Sequence, residues 1–524
     1  MKMMRGTWWT LILVAMLFLA GCGGDDDDND SGAPVDDDTA DDDATDDDAT
    51  DDDAGDDDTW PPLPDDDSAD DDTGDDDTEI CDEDVLIGST YDESPTGGPL
   101  REKAEAYDSW HEAWHQPNYG STVGVVFTSD DRDEAEWYFD LGDSCIWTGT
   151  YLASQALRYH VTGDAQAKAN AIKAASSLSR HLHVTGRPGF IARYVGPQSD
   201  PTYGDVAANC VNDENWHCVD SGEFDGDFWI GNTSRDQYTG WFFGMSLAYD
   251  LVDDETMRAQ IESDVAEVLD ELIDTDWWIT DVDDIPTTAG PNVLPTQQQA
   301  WSLIGWNITG DATYREIYEK WALPENQLFY RLMNISIMNR YAQHYGLNLA
   351  HQNAFNLLRL SRPDCDINEF IREVFTTQVH YHIDLSHNAF YTQIHMAQSQ
   401  LDDTSDYWDD QLAQMTEDLE DFRPAPNYRY AVDPPDAPLD PISVILHDLQ
   451  VQYPFLEEVF GGVDYQALDA YPVFYQCATD FLWQRNPWAI ECGAVENIRD
   501  VNPGVDYLVA YWLASAYGYV TKDQ

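Results

Sequence analysis

From about residue 98 to the C-terminus, the apolar positions recur with a helical period, and two kinds of helix alternate. One kind is apolar and aromatic on most sides, as in Cys145 to Tyr159 and Gln297 to Asn307, and the kind that follows it is polar and amphipathic. The junctions between them repeat. Val161-Thr162-Gly163-Asp164-Ala165 and Ile308-Thr309-Gly310-Asp311-Ala312 each put a glycine where a helix stops and an aspartate where the next one starts. The unit is a buried helix, a tight turn and a surface helix. Followed along the chain, it predicts inner helices near 144–162, 235–252, 297–309, 345–361, 388–400 and 506–521. Outer partners fall near 165–184, 254–273, 312–334, 366–384 and 404–421, with a sixth at either 98–117 or 466–485. The long connections Val195 to Thr233 and Pro424 to Pro441 exceed what a turn needs, so they are expected to build a rim around a cleft.

The stretch 222–252 carries the clearest local signals. Ser234 with Gln237 three residues later has the form of a capping box. Behind it Tyr238, Trp241, Phe242, Met245 and Val252 share one helical stripe, while Gly240, Gly244 and Ala248 recur every four residues on another. Small residues at that spacing admit a second helix at short range, so this is predicted to be an inner helix. Arg235 and Asp236 stand in its first turn, where Asp236 also favours the helix dipole.

Charge changes the picture at the N-terminus. Lys2 and Arg5 precede an apolar run from Trp8 to Ala20, too short to span a bilayer and shaped as a secretory signal. Leu19-Ala20-Gly21-Cys22 resembles the bacterial lipobox, which implies export and an acyl chain on Cys22. The mature protein is then expected to sit on a bacterial membrane, at the outer membrane or cell surface. Asp25 to Glu79 holds 30 acidic residues and no Lys or Arg, so it is read as an extended tether between the anchor and one domain over 81–524. The remainder still has 72 acidic against 23 basic residues beyond Arg5, a balance that excludes nucleic acid as a partner. An anionic polymer would need clustered arginines, and Arg193, Arg235, Arg340 and Arg485 are those in aromatic or polar contexts.

Seven cysteines follow Cys22. Their spacing predicts short disulfides between Cys210 and Cys218 and between Cys477 and Cys492, and the odd number leaves a thiol over. Cys145, near the start of a core helix, is either that buried thiol or a nucleophile. No zinc-site spacing is present and no cofactor is expected.

Six inner and outer hairpins resemble the (α/α)6 toroid of the six-hairpin glycosidase group, which includes glycoside hydrolases, unsaturated glucuronyl hydrolases and alginate and heparinase-type lyases. The resemblance runs from about Arg101 to the end, in architecture only, because no one family's catalytic motif is matched. It implies an all-α fold that acts on carbohydrate. The 19 Trp and 28 Tyr fit both sugar stacking and an aromatic core.

A glycoside hydrolase needs two carboxylates. Asp143 and Asp236 stand at matching starts of two inner helices, LGDSCIWTGTYLASQA and NTSRDQYTGWFFGMSLA, with Asp140, Asp225 and Asp227 in reserve and Asp143 also readable as a plain N-cap. Trp229, Arg235 and Tyr238 are expected to line the cleft, with Arg340 and Arg485 as further substrate contacts. A lyase would instead draw its base from NRYAQHYGLNLAHQNAF, with Tyr341 or His351 in that role. VHYHIDLSHNAF groups His380, His382, Asp384 and His387, a metal set only in an extended segment, so polar residues at a helix junction are the default there and no metal is expected. A third class is a glycan-binding surface protein that turns nothing over.

The lipobox is directly testable. Cys22→Ala is expected to move the protein from the membrane to the soluble fraction on cell fractionation, and unchanged partitioning would contradict lipidation.

Overall fold

The computed structural model describes residues 97–333, 340–341, 344–399, 401, 403–431, 435–476, 481–489 and 496–524. It is mostly helical. Twelve helices carry the framework: α1 (Pro99–Trp114), α2 (Ser144–Thr162), α3 (Ala165–His183), α4 (Arg235–Leu251), α5 (Glu255–Asp274), α6 (Pro295–Thr309), α7 (Ala312–Ala322), α8 (His344–Ser361), α9 (Cys365–Val374), α10 (Ala389–Gln398), α11 (Asp406–Asp421) and α12 (Val505–Ala516). The even-numbered helices are the aromatic, buried ones, and all residues of α12 are buried. Each packs on an outer neighbour: α2 on α3, α4 on α5, α6 on α7, α8 on α9, α10 on α11 and α12 on α1. Among themselves the buried helices meet as α12 with α2, α2 with α4, α4 with α6, α6 with α8, α8 with α10 and α10 with α12.

Local chemistry explains the boundaries. Gly163 and Gly310 end α2 and α6 in the left-handed region, at φ 66° and 73°. Asp164 and Asp311 then cap α3 and α7 by accepting from the amides of Gln166 and Thr313. The sixth partner helix is α1, and among the described residues of the rival segment 466–485 there are two short 3-10 turns. The predicted outer helix 312–334 breaks at Leu323, before Pro324. That over 366–384 ends at Val374 and continues as a π-turn, Phe375–His380.

The tightest packing lies between α2 and α4. A Cβ on Gly149 would stand 1.9 Å from the Gly240 carbonyl oxygen, one on Gly244 would stand 2.3 Å from the Gly149 oxygen, and one on Gly240 would stand 2.5 Å from Ile146 Cα. The two backbones therefore touch, and only glycine fits. The contacts advance in step along both chains, from Cys145 against Gln237 to Gly149 against Gly244, so the helices run parallel and start side by side.

Two small antiparallel sheets modify the all-α expectation. One has the order β2 (Ala135–Phe139), β1 (Gly124–Phe127), β7 (Asn497–Asn502), β6 (Asn427–Arg429), and the other β3 (Tyr194–Pro197), β5 (Asp227–Ile230), β4 (Trp216–Cys218). Their strands are 3 to 6 residues long, and β1 and β5 are buried throughout, so neither shows the alternation that marks a strand in sequence. They sit in the long connections that lead into α2, α4 and α12. A disulfide joins Cys210, on the short helix Val206–Asn212, to Cys218 of β4, as the spacing predicts.

Gly149→Ala is expected to force α2 and α4 apart and to cost about 3 kcal/mol or more in urea unfolding. An unchanged unfolding midpoint would contradict backbone contact between these helices.

Candidate functional site

The first sheet delivers the site from one side. β2 ends at Phe139, Asp140 takes the left-handed conformation at φ 58°, and a 3-10 turn over Leu141–Asp143 leads into α2. Aspartate tolerates that conformation better than most residues. Asp143 occupies the N-cap position of α2 without a side-chain capping bond. It faces α4 instead: its Oδ1 accepts from Gln237 Nε2 at 3.3 Å and lies 4.0 Å from Arg193 Nη1.

Gln237 joins the two helix starts. Its Oε1 accepts from the Ser234 amide at 2.9 Å in the capping box that the sequence predicts, while Nε2 donates to Asp143 and to the Gly142 carbonyl. Arg193 lies beside them and donates to the carbonyls of Asn232 and Gly142. Asp236, the residue before Gln237, is half-buried, and burial pushes its carboxyl up against the opposing pull of Arg235 and Arg193. Arg235 in turn is fixed by Asn292, donating from Nη1 to its carbonyl and side-chain oxygens at 3.1 Å. Asp143 and Asp236 are thus brought to one end of the helix pair, around one arginine.

Asp140 differs from both. Burial and the neighbouring charge of Asp143 push its carboxyl up to about 7, with Arg485 opposing. It lines a cavity of about 10 Å³ with Trp147, Phe481, Gly504 and Asp506, room for roughly one water molecule. The side chain of neighbouring Asp143 is 44% exposed. A carboxyl pushed up to about 7 and a more exposed one stand next to each other. Pairs of carboxyls with divergent environments are the arrangement that acid and base chemistry uses. Sequence spacing ranks Asp140 only as a reserve, because its burial comes from residues more than 300 positions away.

The segment 481–488 lies over the ends of the buried helices. Phe481 stacks on Trp147 at 4.4 Å, the Leu482 amide donates to Asp506 Oδ2 at 2.8 Å, and Trp483 Nε1 donates to the Asp506 carbonyl at 2.7 Å. Tyr391 of α10 and Asn388 donate to the Trp483 carbonyl. Asp506 is buried, which raises its carboxyl to about 6, and it serves to hold this segment so that Arg485 faces Asp140.

Other expected site residues lie elsewhere. Trp229 and Tyr238 are 4% and 1% exposed and belong to the main hydrophobic core. Trp229 stacks on His217 at 3.9 Å, and the Tyr238 hydroxyl donates to the Gly189 carbonyl and accepts from the Ile191 amide. Neither presents a ring face to a ligand, which corrects the cleft-lining role expected for them. Tyr341 and Arg340 both donate to Asp440 Oδ2, at 2.8 and 2.9 Å, and the Arg340 guanidinium lies 4.4 Å from the Trp488 ring. A hydroxyl already given to a carboxylate is a poor candidate for a base. Of the reserves, Asp225 is exposed, and buried Asp227 is held by Arg180 and Tyr119. Cys145 is a buried free thiol, and burial raises its pKa, so the nucleophile reading lapses. Cys365 is disulfide-bonded, and Cys22, Cys477 and Cys492 lie outside the described residues.

The histidines form an interior cluster. His351 is fully buried, stacks on Tyr391 at 3.8 Å, and meets the Leu347 carbonyl through Nδ1 at 2.7 Å. His380 stacks on His395 at 3.9 Å, with 6.0 Å between the rings of His351 and His380. No metal-holding group of three His, Cys, Asp or Glu occurs among the described residues. Burial lowers His344 and His351 to about 3 and His395 to about 4, and it also lowers His380. In the unfolded chain each titrates near its ordinary value of about 6.5. As pH falls through about 6.5 the unfolded chain therefore gains protons that the folded protein refuses until about 3 to 4, and stability is lost across that window. Asp140 at about 7 and Asp506 at about 6 act in the opposite sense, since the folded state protonates them first. His380→Phe removes one depressed imidazole, so its stability is expected to fall less steeply between pH 7 and 5, by up to about 1.4 kcal/mol per pH unit for a fully depressed group. Equal slopes in urea unfolding would contradict a neutral, buried His380.

Comparison with known proteins leaves this geometry as the basis for a functional reading: no protein-family model matches the sequence, and neither a curated protein nor a solved structure is similar to it.

Proposed function

We propose that this protein is a glycoside hydrolase built on a closed (α/α)6 ring, exported and lipid-anchored through Cys22, with its active site where α2 and α4 begin. The ring is supported by the packing of the buried helices, since the contacts pass from α12 through α2, α4, α6, α8 and α10 back to α12. The observation that carries the activity is the placing of Asp140 beside Asp143 and Arg485, and of Asp143 and Asp236 beside Arg193, with Asp140 pushed up to about 7.

The roles follow from the environments. Protonated Asp140 donates its proton to the glycosidic oxygen as the bond to the anomeric carbon breaks, so the leaving sugar departs as an alcohol. Asp143, with its side chain 44% exposed, is the partner carboxylate: it either takes a proton from the attacking water or bonds the anomeric carbon itself. Asp236 is the third carboxyl, next to Arg235 and Arg193. The arginines keep three carboxyls together in a chain whose net charge is otherwise strongly negative. The base candidates of a lyase, Tyr341 and His351, are bonded to Asp440 and buried in the interior, respectively.

The test uses nitrophenyl glycosides beside natural glycans. Asp140→Asn is expected to lose about 10²- to 10⁴-fold on glycans but far less on nitrophenyl substrates, whose leaving groups need no proton. Asp143→Asn is expected to lose both activities. Ligand retained without turnover would make the protein a binder, and an unsaturated, ultraviolet-absorbing product would make it a lyase.

A further inference from the structure

The helix Pro441–Gln452 is turned inside out. Its buried side chains are polar and hold the surrounding hairpin. Ser443 Oγ donates to the Asp440 carbonyl at 2.8 Å and accepts from the Gln466 amide at 3.1 Å. Gln450 donates to the Gly461 carbonyl at 2.7 Å and accepts from the Val463 amide at 2.8 Å, and His447 Nδ1 meets the Val463 carbonyl at 2.7 Å. The opposite face is aliphatic. Ile442, Ile445 and Leu449, at positions i, i+3 and i+7, are 54%, 59% and 40% exposed.

Just before the helix Leu439 pairs with Ala467, and the Leu468 amide donates to the Pro438 carbonyl. Leu439, Leu468 and, past the helix end, Phe455 are about half exposed. Single exposed hydrophobics are ordinary on a protein surface, but a contiguous stripe on a helix that buries its polar side marks an interaction face.

Charge identifies the occupant. Asp436, Asp448, Glu457, Asp464 and Asp469 are exposed around the stripe, and no Lys or Arg occurs between Arg429 and Arg485. A second copy of the chain would set these acids against themselves, and an anionic lipid surface would repel them. We propose that this face docks a basic amphipathic helix of a partner protein, its apolar side on Ile442, Ile445 and Leu449 and its Lys or Arg side chains toward the acidic rim. The spacing i, i+3, i+7 is that of the apolar anchors by which amphipathic helices are recognised. It stands independently of the hydrolase reading.

The test uses the full chain and a fluorescein-labelled peptide of roughly 18 residues, with leucines on one helical face and lysines on the other. Anisotropy is expected to show saturable binding that weakens with added salt, and Ile442→Asp/Ile445→Asp is expected to weaken it at least tenfold. Because that variant adds negative charge, general attraction to an acidic chain, including its Asp-rich N-terminal segment, would strengthen binding instead. Ile445→Ser, which leaves the charge unchanged, is expected to give a smaller loss in the same direction. Thermal unfolding is expected to be unchanged in both variants, since the replaced side chains are exposed. Equal affinity in all three proteins would overturn the proposal. So would flotation of the unlipidated Cys22→Ala protein with phosphatidylcholine vesicles that Ile442→Asp/Ile445→Asp abolishes, or a light-scattering dimer that the double variant abolishes, with no peptide binding.

Discussion

The backbone contact between α2 and α4 is the constraint on which the rest depends. Gly149, Gly240 and Gly244 remove the side chains that would separate the two helices, and the parallel run that results puts both N-termini at one level. Asp143 and Asp236 stand at those termini, so two carboxyls more than 90 residues apart come to share Arg193. Gln237 then acts twice, closing the capping box of α4 and reaching across to Asp143. Packing in the interior thus sets the electrostatics at the surface.

Those electrostatics run against the composition. A chain with 102 acidic and 25 basic residues repels further negative charge. Near the start of α2 the balance is local. Arg193, Arg235 and Arg485 approach three aspartates, and burial beside Trp147 and Phe481 pushes one of the three, Asp140, up to about 7. The segment 481–488 is what buries it, and Asp506 is what holds that segment. A residue of the last helix therefore shapes a site that begins after the second strand.

Much of the framework was legible in the sequence because its signals are short-range. The glycine stops and aspartate caps at 163–164 and 310–311, the Ser234 capping box and the four-residue spacing of Gly240 and Gly244 each act within a turn or two of helix. The strands were not legible, since three or four buried residues carry no period. Trp229 and Tyr238 were misjudged for a related reason: an aromatic side chain serves a core or a sugar equally well, and only burial decides. Tyr341 and Asp140 needed partners about 100 and more than 300 residues away, Asp440 for the one and Phe481, Arg485 and Asp506 for the other. No local pattern encodes such distances.

The central claim is that burial and the neighbouring Asp143 push the Asp140 carboxyl up to about 7. Carbon-13 NMR titration of aspartate-labelled protein measures this directly, with Asp140→Asn used to assign the signal. The account predicts a carboxyl that titrates near pH 7, disappears in Asp140→Asn, and shifts to lower pH in Asp143→Asn, where the repelling charge is gone. An Asp140 signal that titrates near 4, and that Asp143→Asn leaves in place, would contradict it.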